Sequence, residues 1–176
     1  MANAREIQSR MKSIKDTMKI TNAMYMISSS KLSKARTDLK NTEPYFFTMQ
    51  DALAKILMES PDAGNRFFDQ RPDLAPEDRK KGYIVVTADK GMAGAYNQNL
   101  LKFLREHADQ NDRFYVIGQV GYRALLHKDP RLVEDFHYGA TAPTLQRARD
   151  ITVDAIDDFK SGKLDEIYIV YTKIQN

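Results

Sequence analysis

From Ile7 onward an apolar or small position recurs in alternating steps of four and three residues. The series passes through Met11, Ile14, Met18, Thr21, Tyr25, Ser28, Leu32, Ala35, Leu39, Thr42, Phe46, Met49, Leu53 and Ile56. A 3.5-residue spacing sustained over this length specifies a left-handed coiled coil rather than a helix lying on a globular core. One column of the seam stays large: Met11, Met18, Tyr25, Leu32, Leu39, Phe46 and Leu53. The other turns small in its middle, at Thr21, Ser28, Ala35 and Thr42, so a partner helix can come close there but buries little apolar area. Pro44 removes one helical hydrogen bond and predicts a kink, with a rod to about Asn41 and a second stretch to about Glu59. About 55 helical residues at 1.5 Å rise span roughly 80 Å, against about 35 Å for a compact domain of this mass. Length alone therefore predicts that part of the helix projects from any body the chain forms.

A second apolar stripe, Ile20, Met24 and Ile27, lies on another face, with Ala23 and Met26 filling the gaps. A helix apolar on all sides for a few turns is expected to be surrounded. The same segment is basic: residues 1–40 hold nine Lys and Arg against three acids, a balance of +6, and the rest of the chain carries −3. Such a rod suits an acidic partner, whether a protein surface, an anionic lipid or nucleic acid. The N-terminus has no apolar signal core, and no run reaches the roughly 20 apolar residues of a membrane span. With no cysteine among the 176 residues, disulfides, thiol nucleophiles and thiolate metal sites are excluded.

The text changes near Lys80. "GYIVVTA" (82–88), "RFYVIG" (113–118) and "DEIYIVYTK" (165–173) read as strands, and "RLVEDF" as a short one. Residues 92–109, "QVGYRALLHKD" and 142–162 read as helices, the last with Leu145, Ala148, Thr152, Ala155, Ile156 and Phe159 on one side and Gly162 as its stop. Strands alternating with helices predict a Rossmann-like α/β domain with a mainly parallel sheet. The predicted organisation is a coiled-coil helix over 1–59, a linker loop over 60–81 and an α/β domain over 82–176.

The turn "TADKGMAGAYN" follows a strand and opens a helix, where anion sites form in such folds. Gly91 and Gly94 could admit a phosphate and Lys90 could neutralise it, yet the turn is neither a dinucleotide nor a P-loop fingerprint, and Asp89 would repel the ligand. Glycines at such a turn more often serve the turn itself. His107, His127 and His137 have no ligand spacing, so no metal and no cofactor is expected. No nucleophile–base pair stands out. Three readings remain from the residues: a mechanical coiled-coil protein, a phosphate- or nucleotide-binding α/β enzyme using Lys90, Gly91 and Gly94, and a basic coiled-coil binder of nucleic acid.

"IQSRMKSIKDTMKITNAMYMISSSKLSKA" resembles the N-terminal signature of the gamma subunit family of bacterial F-type ATP synthases, matching it at Ile7, Arg10, Met11, Ser13, Thr17, Lys19, Ile20, Thr21, Ala23, Met24, Met26, Ile27, Ser28, Lys31, Leu32, Lys34 and Ala35. "VVTADKGMAGAYN" is similar to the family's turn through Thr87, Asp89, Lys90, Gly91, Gly94 and Asn97. The resemblance runs along the whole chain. It implies a non-catalytic rotor shaft on the axis of a ring of three alpha and three beta subunits, with an α/β domain docked on the epsilon subunit and the c-ring. It implies a peripheral place at the cytoplasmic face of the bacterial membrane, without insertion, and neither nucleic acid nor cofactor. The seam from Ile7 to Leu39 would hold the family's own C-terminal helix, antiparallel. Ile20, Met24 and Ile27 would face the ring, and Lys31, Lys34 and Arg36 would meet its acidic segments. That C-terminal helix does not follow Asn176 here, so the resemblance also implies a truncated or processed chain.

Overall fold

A computed structural model describes residues 2–60, 64, 65, 67 and 71–173. The chain divides into two compact units, Met1–Ala63 and Gly64–Asn176.

The first unit is one helix, α1 (Ala2–Glu59), of 58 residues. At 1.5 Å per residue it is about 87 Å long. It stays helical through Pro44 and ends at Glu59, where the sequence places its end. Proline leaves the carbonyl of Lys40 without its helical donor but does not unwind the turn. Thr17, Thr21, Thr37, Thr42 and Thr48 donate their hydroxyls to the carbonyl four residues back, at 2.8–3.1 Å. This matters for the seam: Thr21 and Thr42 satisfy their hydroxyls on their own backbone, as threonine does in helices.

The second unit is built on a three-stranded parallel sheet in the order β2-β1-β3, with β1 (Lys81–Val86) central, β2 (Arg113–Ile117) and β3 (Glu166–Val170) at the edges. Gly82 pairs with Arg113 on one side and with Ile167 on the other. The helices are α2 (Tyr96–His107), α3 (Gln119–Leu125) and α4 (Leu145–Lys160).

Strand alternation sends β1 and β2 side chains to two cores. Tyr83, Val85, Phe114 and Val116 pack with Leu100, Leu101 and Leu104 of α2. Ile84, Tyr115 and Ile117 pack with Ala155 and Phe159 of α4 and with Phe136 and Leu164. Both faces of β1 are thus covered, which is why it reads as a continuous apolar run. Edge strand β3 is less covered, with Ile169 62% exposed. Segment 131–136, expected as a short strand, pairs with β2 only through an isolated bridge at Leu132.

Element ends differ from expectation for local reasons. α2 begins four residues later than predicted, because Met92 and Gly94 take left-handed backbone angles. α4 begins at its Thr144 cap, whose hydroxyl accepts the Arg147 N–H at 3.2 Å. Its first turn is exposed, so Leu145 and Ala148 are not on the core side with Ala155 and Phe159. Gly162, with φ 79°, ends the helix as expected. At the other end of the sheet, buried Asp112 accepts the backbone N–H of Lys81 at 2.9 Å and of Asp109 at 2.7 Å. Described residues before β1 also anchor to the domain: Arg79 pairs with Glu166 at 2.7 Å, and the Phe67 ring stacks on Phe159.

The two-sided core predicts where truncation matters. Leu104→Ala, at a side chain 1% exposed, is expected to destabilise the α/β domain by about 2–5 kcal/mol. Leu145→Ala, in the exposed first turn of α4, should stay within about 0.5 kcal/mol. Denaturant unfolding followed by circular dichroism checks both.

Candidate functional site

Two places carry the residues singled out by the sequence: the seam of α1 and the turn after β1.

On α1 every residue from Asn3 to Glu59 is exposed. The seam side chains Ile7, Met11, Ile14, Met18, Thr21, Tyr25, Ser28, Leu32, Ala35 and Leu39 all lie on this exposed helix, Tyr25 being 73% exposed. So do Ile20, Met24 and Ile27, and the cations Lys31, Lys34 and Arg36. The helix's internal ion pairs, Glu6–Arg10 at 2.8 Å and Asp16–Lys19 at 3.5 Å, lie N-terminal to these cations. Among the described residues none of Lys31, Lys34 and Arg36 is in an ion pair, and their charge is open to an outside partner. An apolar stripe of this length is unfilled within its own unit.

The turn after β1 behaves differently. Asp89 points inward. One oxygen accepts the backbone N–H of Ala140 at 3.0 Å and of Gln119 at 3.3 Å. The other accepts the N–H of Thr141 at 2.8 Å and a short hydrogen bond from the Thr141 hydroxyl. Burial pushes the Asp89 carboxyl up, but the hydrogen bonds from Thr141, Ala140 and Gln119 outweigh it and hold it below its ordinary value. Lys90, Gly91 and Gly94 lie on the exposed outer part of the turn, and the two glycines have open space where a side chain would stand. The turn is therefore split: Asp89 is held inward, while Lys90, Gly91 and Gly94, the three weighed for a phosphate, stay exposed. Amide donors that could have gripped an anion at the strand ends already hold the chain's own carboxylate.

Neighbours of Asp89 do related work that sequence reasoning did not assign. The Thr87 hydroxyl donates to the Ile117 carbonyl at 2.8 Å and accepts the Gly121 N–H at 3.1 Å. A Cβ at Gly118, where φ is 96°, or at Gly121 would collide with Thr87. Asn97 accepts the Ala88 N–H at 2.9 Å, and the Tyr96 hydroxyl donates to the Val86 carbonyl at 2.8 Å. Together they tie the C-terminal ends of β1 and β2 to the starts of α2 and α3. The available signal was the polar spacing of Thr87, Asp89 and Asn97 immediately after an apolar strand.

Chemistry elsewhere is sparse. Among the described residues no group of three His, Cys, Asp or Glu side chains could hold a metal ion. An open recess beside the edge of β3 is lined by Tyr83, Leu100, Phe103, Tyr168 and Tyr171. Burial, then the charge of Asp112, pushes the Tyr83 hydroxyl up to about 12, so it stays protonated at neutral pH. No helix among the described residues is long and apolar enough to cross a membrane.

A heptad helix with an unfilled seam, followed in sequence by a parallel α/β domain whose strand-end donors are occupied from within, defines the structural class. The chain belongs to the ATP synthase family, whose model matches residues 3–176. It is 42% identical to the ATP synthase gamma chain of Ruminiclostridium cellulolyticum, over 98% of this chain and 59% of that relative. It is 40% identical to the gamma chain of Acetivibrio thermocellus, over 98% of this chain and 58% of the relative. A sodium ion specific ATP synthase gamma chain from Acetobacterium woodii is 35% identical, over 97% of this chain and 56% of its own length. The chain thus spans under two thirds of the length of these curated relatives.

The Asp89 latch makes a pH prediction. A carboxylate held below its unfolded value stabilises the fold above that value and loses the contribution as pH falls through the folded one. Stability of the α/β domain should therefore decline below about pH 4, where Asp89, Asp129, Asp158 and Glu166, all held low, take up protons. Asp89→Asn should cost about 1–3 kcal/mol at pH 7 and flatten part of that acid slope, as read by thermal melting across pH.

Proposed function

We propose that this chain is the N-terminal part of the gamma, central-stalk subunit of an F-type ATP synthase, a rotor element without a catalytic site of its own. The observation that carries the proposal is the exposed heptad seam of α1, joined to similarity with gamma chains over nearly the whole sequence. In this reading the seam holds a mate helix from the remainder of the subunit, and the helix pair forms a shaft inside the ring of three alpha and three beta subunits. Ile20, Met24 and Ile27 bear on the inside of the ring. Lys31, Lys34 and Arg36 meet acidic segments of it through exposed pairs worth about 0–1 kcal/mol each, weak enough to break and re-form as the shaft turns. The α/β domain, with Lys90, Gly91 and Gly94 on its exposed turn, docks toward the epsilon subunit and the c-ring. The subunit is then peripheral at the cytoplasmic face of the bacterial membrane, and ion-driven rotation of the c-ring reaches the beta subunits through it.

The rival reading, a phosphate- or nucleotide-binding enzyme, is opposed by the occupied donors at Asp89. Calorimetric titration with ATP and ADP separates the two: no binding heat is expected, and tight binding abolished by Lys90→Ala would replace the rotor reading. In the assembled complex, Met24→Lys should add attraction between shaft and ring and lower the ATP made per ion translocated. An unchanged yield in a fully assembled mutant would remove Met24 from the bearing surface.

A further inference from the structure

The latch at Asp89 has the build of a ligand site whose ligand is covalently attached. Four donors converge on the two oxygens of one planar group. Oδ1 accepts the backbone N–H of Ala140 at 3.0 Å and of Gln119 at 3.3 Å. Oδ2 accepts the N–H of Thr141 at 2.8 Å and the Thr141 hydroxyl. We infer that these donors form a carboxylate-binding cradle in their own right, one that takes up a small free monocarboxylate such as formate once the Asp89 side chain is removed. The inference concerns the α/β domain alone and does not depend on the rotor reading.

Such a cradle exists only if its donors keep their places without Asp89, and each is held by other bonds. On either side of Gln119, the Gly118 N–H donates to the Tyr138 carbonyl at 2.8 Å and the Val120 N–H to the Ala88 carbonyl at 2.9 Å. The Gly121 N–H donates to the Thr87 hydroxyl at 3.1 Å, which fixes the first turn of α3. Tyr138 is bridged to Ile117 of β2, just before the loop that supplies Ala140 and Thr141. Arg147 then grips that loop from α4, its Nη1 donating to the Thr141 carbonyl at 2.6 Å and to the Ala142 carbonyl at 3.4 Å. Donors positioned in advance bind without the cost of ordering them. The guanidinium also brings a positive charge to the loop that carries three of the four.

The donor set selects the ligand class. Two oxygens with two donors each match the acceptor capacity of one ionised carboxylate. Phosphate would bring further oxygens for which the described residues supply no donor at this site. A side-chain amide has one acceptor oxygen and would turn its NH2 group onto the remaining donors. Access is open, because Thr141 is exposed and Gly139 puts no side chain over the carboxylate, where a Cβ would stand 3.4 Å from Oδ2.

The test uses the 176-residue chain carrying Asp89→Gly, titrated with sodium formate at constant ionic strength set with chloride. The three non-hydrogen atoms of formate limit its affinity to about 1 mM at the tightest. The melting temperature should rise saturably with formate, and the amide resonances of Gln119, Ala140 and Thr141 should shift along the same curve. The unsubstituted chain and Asp89→Asn, whose cradles are filled, should not respond. Adding Thr141→Val to Asp89→Gly should weaken formate binding about tenfold. An equal rise in the unsubstituted chain, an equal effect of chloride, three amide resonances that stay still, or a Thr141→Val double variant that binds as well would each overturn the inference. If Asp89→Gly is unfolded alone, refolding on addition of formate supports the cradle. Failure of both Asp89→Gly and Asp89→Ala to fold even in saturating formate overturns it, since refilling the donors must restore the latch.

Discussion

A lone helix closes its backbone hydrogen bonds internally but has no interior in which to hide an apolar stripe. α1 has two such stripes, and both are exposed along the helix. Most helical stability in proteins comes from packing rather than from propensity, and a helix of 58 residues without packing lacks that source. Everything the first unit does follows from this constraint: the stripe at 3.5-residue spacing has to be filled from outside its own helix. In the rotor reading, the small column sets how close a mate helix can come, and the basic positions set what charge suits its surroundings.

The second unit solves its own burial problem. Its central strand is covered on both faces, and its polar ends are latched by side chains rather than by ligands. Asp89 is the clearest case. A bare set of amide donors at the ends of parallel strands is an anion site in many α/β domains. Here the donors of Gln119, Ala140 and Thr141 are consumed by a carboxylate that arrives with the chain. The same architecture that elsewhere binds phosphate here holds the chain's own carboxylate. Fold alone says nothing about function, which has to be argued from the site residues.

Much of this was legible in the sequence, and the misses have physical causes. The seam was readable because its period is carried by many residues and depends on no tertiary contact. The strands were readable because β1 and β2 are buried on both sides and written in β-branched and aromatic residues. Segment 131–136 misled because its apolar residues suggest a strand, while its backbone hydrogen bonds reach β2 only at Phe114. The start of α4 misled because Leu145 looks like a core residue, although the cap at Thr144 leaves that turn in solvent. The inward turn of Asp89 was invisible because its donors come from residues 30 to 52 positions further along the chain.

Pro44 gives the helix a mechanical property that the rest of it lacks. With the Lys40 carbonyl undonated and the Pro44 carbonyl also engaged by the Thr48 hydroxyl at 2.8 Å, this level of the rod has a locally altered ladder. Flexing there breaks one fewer backbone bond than flexing elsewhere in the helix interior. A rod uniform in secondary structure is therefore not uniform in its backbone hydrogen bonding, and the level that differs lies roughly three quarters of the way along.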